Sequence, residues 1–129
     1  MKVINPVLPG FNPDPSLVRV GDDYYIATST FEWFPGICIH HSKDLVNWEI
    51  LSYALTDETK FDIKGMDTAC GIWAPNLTYD NGTFYLIYTI VYTNRHRFKD
   101  THNFMVTATD PQGPWSAPIP LNKMGFDPS

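Results

Sequence analysis

A short phrase recurs along this chain and constrains its fold more than any other feature. Gly10-Phe11-Asn12-Pro13-Asp14-Pro15-Ser16 is echoed by Gly71-Ile72-Trp73-Ala74-Pro75-Asn76, and Gly125-Phe126-Asp127-Pro128-Ser129 begins a third copy. Aligned on the following proline, one position reads Asp14, Ala74 and Asp127. The residues after the phrase also repeat. Leu17 to Ile26 and Leu77 to Leu86 each read as a strand, a tight polar turn and an aromatic-rich strand. Asp14 and Ala74, like Tyr25 and Tyr85, stand 60 positions apart. Later in each unit a strand, a turn and a Trp recur, as Ile39 to Trp48 and Val106 to Trp115. A period of about 55 residues with several strands per unit is the signature of propeller blades.

Composition agrees. Eleven Pro and eight Gly punctuate short runs rich in aromatic and β-branched residues, the pattern of strands joined by turns. No window sustains a helical apolar period. Asp80-Asn81-Gly82 and Val20-Gly21-Asp22-Asp23 are the clearest hairpin turns, because Asn, Asp and Gly tolerate positive φ. The expected class is all-β. Two blades cannot close a ring, and each blade must bury its faces against neighbours. With a third copy of the phrase begun at its end, residues 1–129 are therefore expected to be part of a longer protein.

Charge and cysteine usage exclude several classes. The net charge is −5, and no basic cluster exceeds Arg95-His96-Arg97, so no nucleic-acid partner is expected. No apolar run has the length of a membrane span or the pattern of a signal peptide, which points to a cytoplasmic protein. Cys38 and Cys70 lack metal-type spacing and read as buried free thiols of a reducing compartment. His40 and His41 are adjacent, so a strand sends them to opposite sides and they cannot chelate one ion together. His102 is either a polar residue of the inner channel or a loop residue. No metal site, phosphate loop or Ser/His/Asp triad is legible, and no cofactor is expected.

Asp14 alone reads as a turn-starting carboxylate bound to backbone amides. Two points raise it to a site candidate: the flanking prolines hold it rigidly, and Asp127 repeats it. Equivalent positions on successive blades face one central axis, so the two carboxylates should approach each other. Close carboxylates in unlike surroundings have separated pKa values, the raw material of acid–base chemistry. Phe31, Trp33, Trp73 and Phe126 form a second group. Alternation puts Phe31 and Trp33 on one strand face if Ser29 to Phe34 is regular, with Glu32 opposite them in a structural role. Aromatic rings around carboxylates suit a sugar, although any one of these rings could equally fill space between blades. Trp48 and Trp115 are assigned to packing.

These residues carry a family resemblance. The opening Asn5 to Ser16, the segment Tyr24 to Gly36, His41 to Leu45, Gly71 to Pro75 and Gly125 to Ser129 resemble family 43 glycoside hydrolases, in the β-xylosidase/α-L-arabinofuranosidase branch. The resemblance implies a five-bladed β-propeller, of which this chain covers about the first two blades. It also implies inverting hydrolysis that releases xylose from β-1,4-xylo-oligosaccharides. Asp14 would be the general base, and Asp127 would raise the pKa of the acid and orient it. Phe31, Trp73 and Phe126 would line the sugar subsite, and the acid would be a Glu beyond Ser129. On that reading the 129 residues alone are inactive. The implied partner is a xylo- or arabino-oligosaccharide, with no nucleic acid and no membrane; a homo-oligomer stays open. Two segments depart from the pattern, Ile90 to Phe98 and Thr68-Ala69-Cys70, which leaves xylose and arabinose both as candidates. A non-catalytic sugar-binding propeller is the competing reading.

Overall fold

A computed structural model describes residues 3–129. Eight antiparallel strands form two four-stranded sheets, each a simple meander. The first sheet holds β1 (Ser16–Val20), β2 (Asp23–Thr28), β3 (Gly36–Ser42) and β4 (Glu49–Leu55) in that order. The second holds β5 (Gly71–Asp80), β6 (Thr83–Thr93), β7 (Asp100–Ala108) and β8 (Ile119–Asn122). Each repeat unit is thus one sheet, and the pair are the first two blades of a propeller. No described residue is helical.

The hairpins form where turn chemistry allows. Asn81 and Gly82 both take positive φ, at 44° and 82°, the requirement of a two-residue turn that matches strand twist. In the outer turn of the first blade, Asp44 Oδ1 accepts hydrogen bonds from the Asn47 and Val46 amides at 2.7 and 2.9 Å. Those bonds favour the ionised form and hold the Asp44 carboxyl well below the usual carboxylate range. Asp110 accepts from the Gln112 amide at 2.8 Å at the corresponding place in the second blade.

Alternation decides what each face buries. Ala27, Ile37 and Ile39 of the first sheet pack against Leu77, Leu86 and Tyr88 of the second, within one core cluster. Removal of this apolar surface from water is the main force that stacks the blades. Polar pins add register: the Leu77 amide donates to Ser16 Oγ at 2.9 Å, and Ser52 Oγ donates to the Pro111 carbonyl at 2.7 Å. The opposite face of the first sheet carries Leu17, Ile26, His40 and Ile50 in one cross-strand row. Leu17 and Ile50 are 56% and 61% exposed there. His40 is buried, with neither ring nitrogen partnered, and burial lowers its pKa.

One expectation about local geometry needs correction. Ser29 to Phe34 is not a regular strand: Phe31 makes a single antiparallel bridge to Ile72 and has φ of 49°. Phe31 and Trp33 therefore do not share a strand face. Phe31 is half-buried among other rings, whereas Trp33 is exposed. The two histidines do part as strand neighbours should. His41 bonds Asp23 Oδ1 through Nε2 at 2.6 Å, on the face opposite His40. His102 lies within β7 rather than in a loop, with its ring 4.8 Å from that of Tyr92. Cys38 and Cys70 are buried free thiols.

Candidate active site

Asp14, Ala74 and Asp127 share more than a place in the repeat. Their φ angles are 51°, 29° and 58°, all in the region that L-residues other than Gly seldom occupy. The same backbone bend thus recurs three times with three side chains. Ser16 pairs with Ala27 at the end of the first sheet where Asp14 sits, and Val20 pairs with Asp23 at the other end. The repeated positions therefore gather at one end of the stacked sheets. Clefts of about 370 and 380 Å³ beside His41 and Asp23 lie at the other end.

Asp14 is exposed but held. Ser29, itself 1% exposed, donates its hydroxyl to Asp14 Oδ2 at 2.6 Å and its amide to the Pro13 carbonyl at 3.0 Å. One carboxylate oxygen is thereby fixed, while Oδ1 has no hydrogen-bond donor among the described residues. A hydrogen bond at this short distance to a carboxylate is of the stronger, charge-assisted kind.

Asp127 has a different environment. Desolvation first, and the Asp14 charge second, push its carboxyl up from the ordinary value. The smaller contribution, from the Asp14 charge, is in the direction expected of two carboxylates at one end of the sheets. Asn103 holds the chain that delivers Asp127. Its buried side-chain amide donates to Asn122 Oδ1 at 2.9 Å and to the Met124 carbonyl at 3.2 Å, and its oxygen accepts from Thr89 Oγ1 at 2.6 Å.

This difference predicts a pH-dependent stability. A raised pKa means that the folded chain binds the Asp127 proton more tightly than the unfolded chain does. The associated stability is full below the unfolded value of about 3.9 and is lost as pH rises through the folded value. Asp127→Asn in the full-length protein should therefore raise Tm at pH 7 relative to wild type, and the gain should shrink toward pH 4. Asn accepts positive φ readily, so the backbone does not confound the pH trend. Paired thermal melts across that range check it; a gain that grows on acidification would contradict the assignment.

Four rings join the three copies of the phrase. Phe11 lies 5.7 Å from Phe31, Phe31 lies 6.2 Å from Trp73, and Trp73 lies 5.5 Å from Phe126, the last two pairs edge to face. Such T-shaped contacts suit aromatic quadrupoles and set ring orientation. The Lys99 ammonium stands over the Phe126 ring at 5.2 Å. Phe31, Trp73 and Phe126 are thus brought together, and Phe11 joins them. Its position after Gly10, like Phe126 after Gly125, was the sequence signal for it. Trp33 pairs with none of these rings but lines a hollow next to the arc, with Phe11, Ser29, His40 and Tyr53.

The join between Phe31 and Ile72 aligns the arc. Phe31 and Ile72 exchange both backbone hydrogen bonds, at 3.0 and 2.9 Å, across the seam between the sheets. Gly71 permits this approach with φ of 90°, and a Cβ there would lie 2.3 Å from the Phe31 carbonyl oxygen. Glu32 acts on the second blade: its carboxylate accepts the Ala69 amide at 3.2 Å. Among the described residues, no group of three or more His, Cys, Asp or Glu side chains is placed to hold a metal ion.

Comparison with known proteins agrees with this arrangement. The family model described as glycosyl hydrolases family 43 matches residues 3–129. Xylosidase/arabinosidase 43B of Humicola insolens is 57% identical over 128 residues, which is 99% of this chain and 24% of that protein. The β-xylosidase of Bacillus subtilis strain 168 is 56% identical over 129 residues, again with 24% of its length covered. The crystal structure of xylan β-1,4-xylosidase from Bacillus halodurans C-125 superposes with a TM-score of 0.96 at 61% identity, over 98% of this chain and 24% of that one. The chain spans about a quarter of the length of the relatives it matches.

Proposed function

Because this chain belongs to the glycosyl hydrolases of family 43, we propose that it carries the general-base half of an inverting β-xylosidase site. The observation that supports this most is the pairing of Asp14 and Asp127 on equivalent left-handed positions beside one aromatic arc. Ala74, at the same bend between them in the repeat, leaves a methyl where a third acid would stand, and so leaves room for a sugar ring.

The chemistry follows from the two environments. Asp14, with Oδ2 held by Ser29, keeps Oδ1 to accept a proton from a water molecule that attacks the anomeric carbon. The phrase prolines hold the residue and Ser29 holds Oδ2, so the carboxylate is oriented in advance, which lowers the cost of orientation. Asp127, whose carboxyl is pushed up by burial and by Asp14, is a positioning residue that orients the substrate and the acid. The acid itself, a Glu in our reading, comes from sequence outside these residues. An inverting pair stands about 6.5–9.5 Å apart so that water fits between base and sugar. Phe31, Trp73 and Phe126 offer ring faces to the apolar CH faces of a xylose unit. On this reading residues 1–129 are the N-terminal portion of a β-propeller catalytic domain, and further blades cover its open faces. The bound partner is a xylo-oligosaccharide.

The test is hydrolysis of an aryl β-xyloside by the full-length protein, with the first-formed anomer read by proton NMR. Inversion delivers α-xylose first, and β-xylose first would overturn the mechanism. An aryl α-L-arabinofuranoside in parallel sets the sugar preference, since the similar Humicola insolens protein is named for both sugars. Preference for the arabinofuranoside would move the substrate reading to an arabinofuranosidase. Oligosaccharide binding without turnover would instead mark a sugar-binding propeller.

A further inference from the structure

The two segments that depart from the family pattern, Thr68-Ala69-Cys70 and Ile90 to Phe98, are joined in the folded chain. Arg95 forms a two-pronged pair with Asp67, Nε to Oδ2 and the terminal nitrogen to Oδ1, both at 2.6 Å. The pairing lowers the Asp67 pKa and raises that of Arg95. Asp67 opens a turn that the Cys70 amide closes onto the Asp67 carbonyl at 3.0 Å. At the tip of that turn Ala69 has φ of 64°.

Three elements converge on this one residue. The Ala69 amide donates to Glu32 at 3.2 Å. Its carbonyl accepts the Trp73 indole N–H at 2.9 Å and the Asn94 side-chain amide at 3.5 Å. The indole so held is the ring that meets both Phe31 and Phe126 edge-on. A side chain with two free χ angles gains a single orientation when its polar tip has one fixed acceptor.

We propose that the 67–70 turn, clamped by Arg95 and Glu32, is a specificity strap that sets the tilt of Trp73 and with it the choice between xylopyranose and arabinofuranose. This rests on the glycosidase reading of the site. None of Asp67, Arg95 or Glu32 is assigned to touch sugar; they are positioning residues. Pyranose and furanose rings differ in the plane of CH groups they present, so a fixed ring discriminates between them and a loosened one does so less. Exposed ion pairs add little to overall stability, and the Arg95 and Asp67 side chains are 68% and 43% exposed, so variants of the clamp should fold.

The experiment is a cycle in the full-length enzyme with Arg95→Gln and Glu32→Ala, which removes the acceptor of the Ala69 amide, each made alone and together with Trp73→Phe. The readout is the ratio of kcat/KM for aryl β-xyloside to that for aryl α-L-arabinofuranoside. Each clamp variant should move this ratio toward one by about fivefold or more, a range that modest pocket changes reach, with the change mainly in KM. In the Trp73→Phe background the same substitutions should leave the ratio unmoved. An unchanged ratio, or an equal shift with and without Trp73, overturns the proposal. A second readout does not need turnover. The near-UV circular dichroism difference between each protein and its Trp73→Phe partner isolates the Trp73 band, which should weaken in Arg95→Gln. A full-strength band overturns the strap even if the parent cleaves neither glycoside, a result that would defeat the glycosidase reading separately.

Discussion

Asp14→Asn in the full-length protein is expected to lower kcat on an aryl β-xyloside by about a thousandfold, within the range of a lost general base, and to leave the fold intact. Asn keeps the size of the side chain, can accept from Ser29 as Asp14 does, and tolerates the φ of 51°. It loses only the capacity to take up a proton. Asp14→Ala should be as inactive, and the chain holds its own control for the backbone: Ala74 already occupies the equivalent bend with φ of 29°. The Ala variant frees a buried Ser29 hydroxyl, so its Tm should fall slightly more than that of the Asn variant. Steady-state kinetics beside thermal melts separate the two effects. An Asp14→Asn enzyme with a tenth or more of wild-type kcat would sink the base assignment.

Gly71→Ala should be strongly destabilising. The added Cβ would lie 2.3 Å from the Phe31 carbonyl oxygen and 2.5 Å from its carbonyl carbon, backbone atoms that cannot rotate away. The φ of 90° is itself strained for any residue with a Cβ. The chain would have to open the paired hydrogen bonds between Phe31 and Ile72, at a cost of about 3 kcal/mol or more. That join also carries Phe31 toward Trp73, so activity should fall with stability. Gly82→Ala, with φ of 82° but no atom within 4 Å of the added Cβ, is the matched control for strain without a clash. Its loss of Tm should be clearly smaller, and equal losses would refute the steric account.

The repeat made the architecture legible. Phrase, hairpin and outer Trp recur in order, and each unit became one four-stranded sheet. Asp14, Trp73, Phe126 and Asp127 stood out in the sequence because they lie inside the phrase, whereas Phe31 stood out only through the aromatic run around it. What stayed hidden depends on contacts across long sequence separations. Ser29 reaches Asp14, Asn103 reaches residues 122 to 124, and Glu32 reaches Ala69; no local pattern announces such pairs. Alternation fails at Phe31 because the residue takes a left-handed φ and pairs with Ile72 across the seam instead of continuing a strand.

The bend shared by Asp14, Ala74 and Asp127 has a consequence for how such a protein can change. Its conformational cost is met at all three places whatever side chain stands there, so the bend is a ready-made mount for different side chains. Exchange of a carboxylate for a methyl, or the reverse, alters the reagent without rebuilding its mount. A propeller assembled this way can gain or lose an acid by one substitution and relocate one by two, so its reactivity can drift while its framework is inherited unchanged.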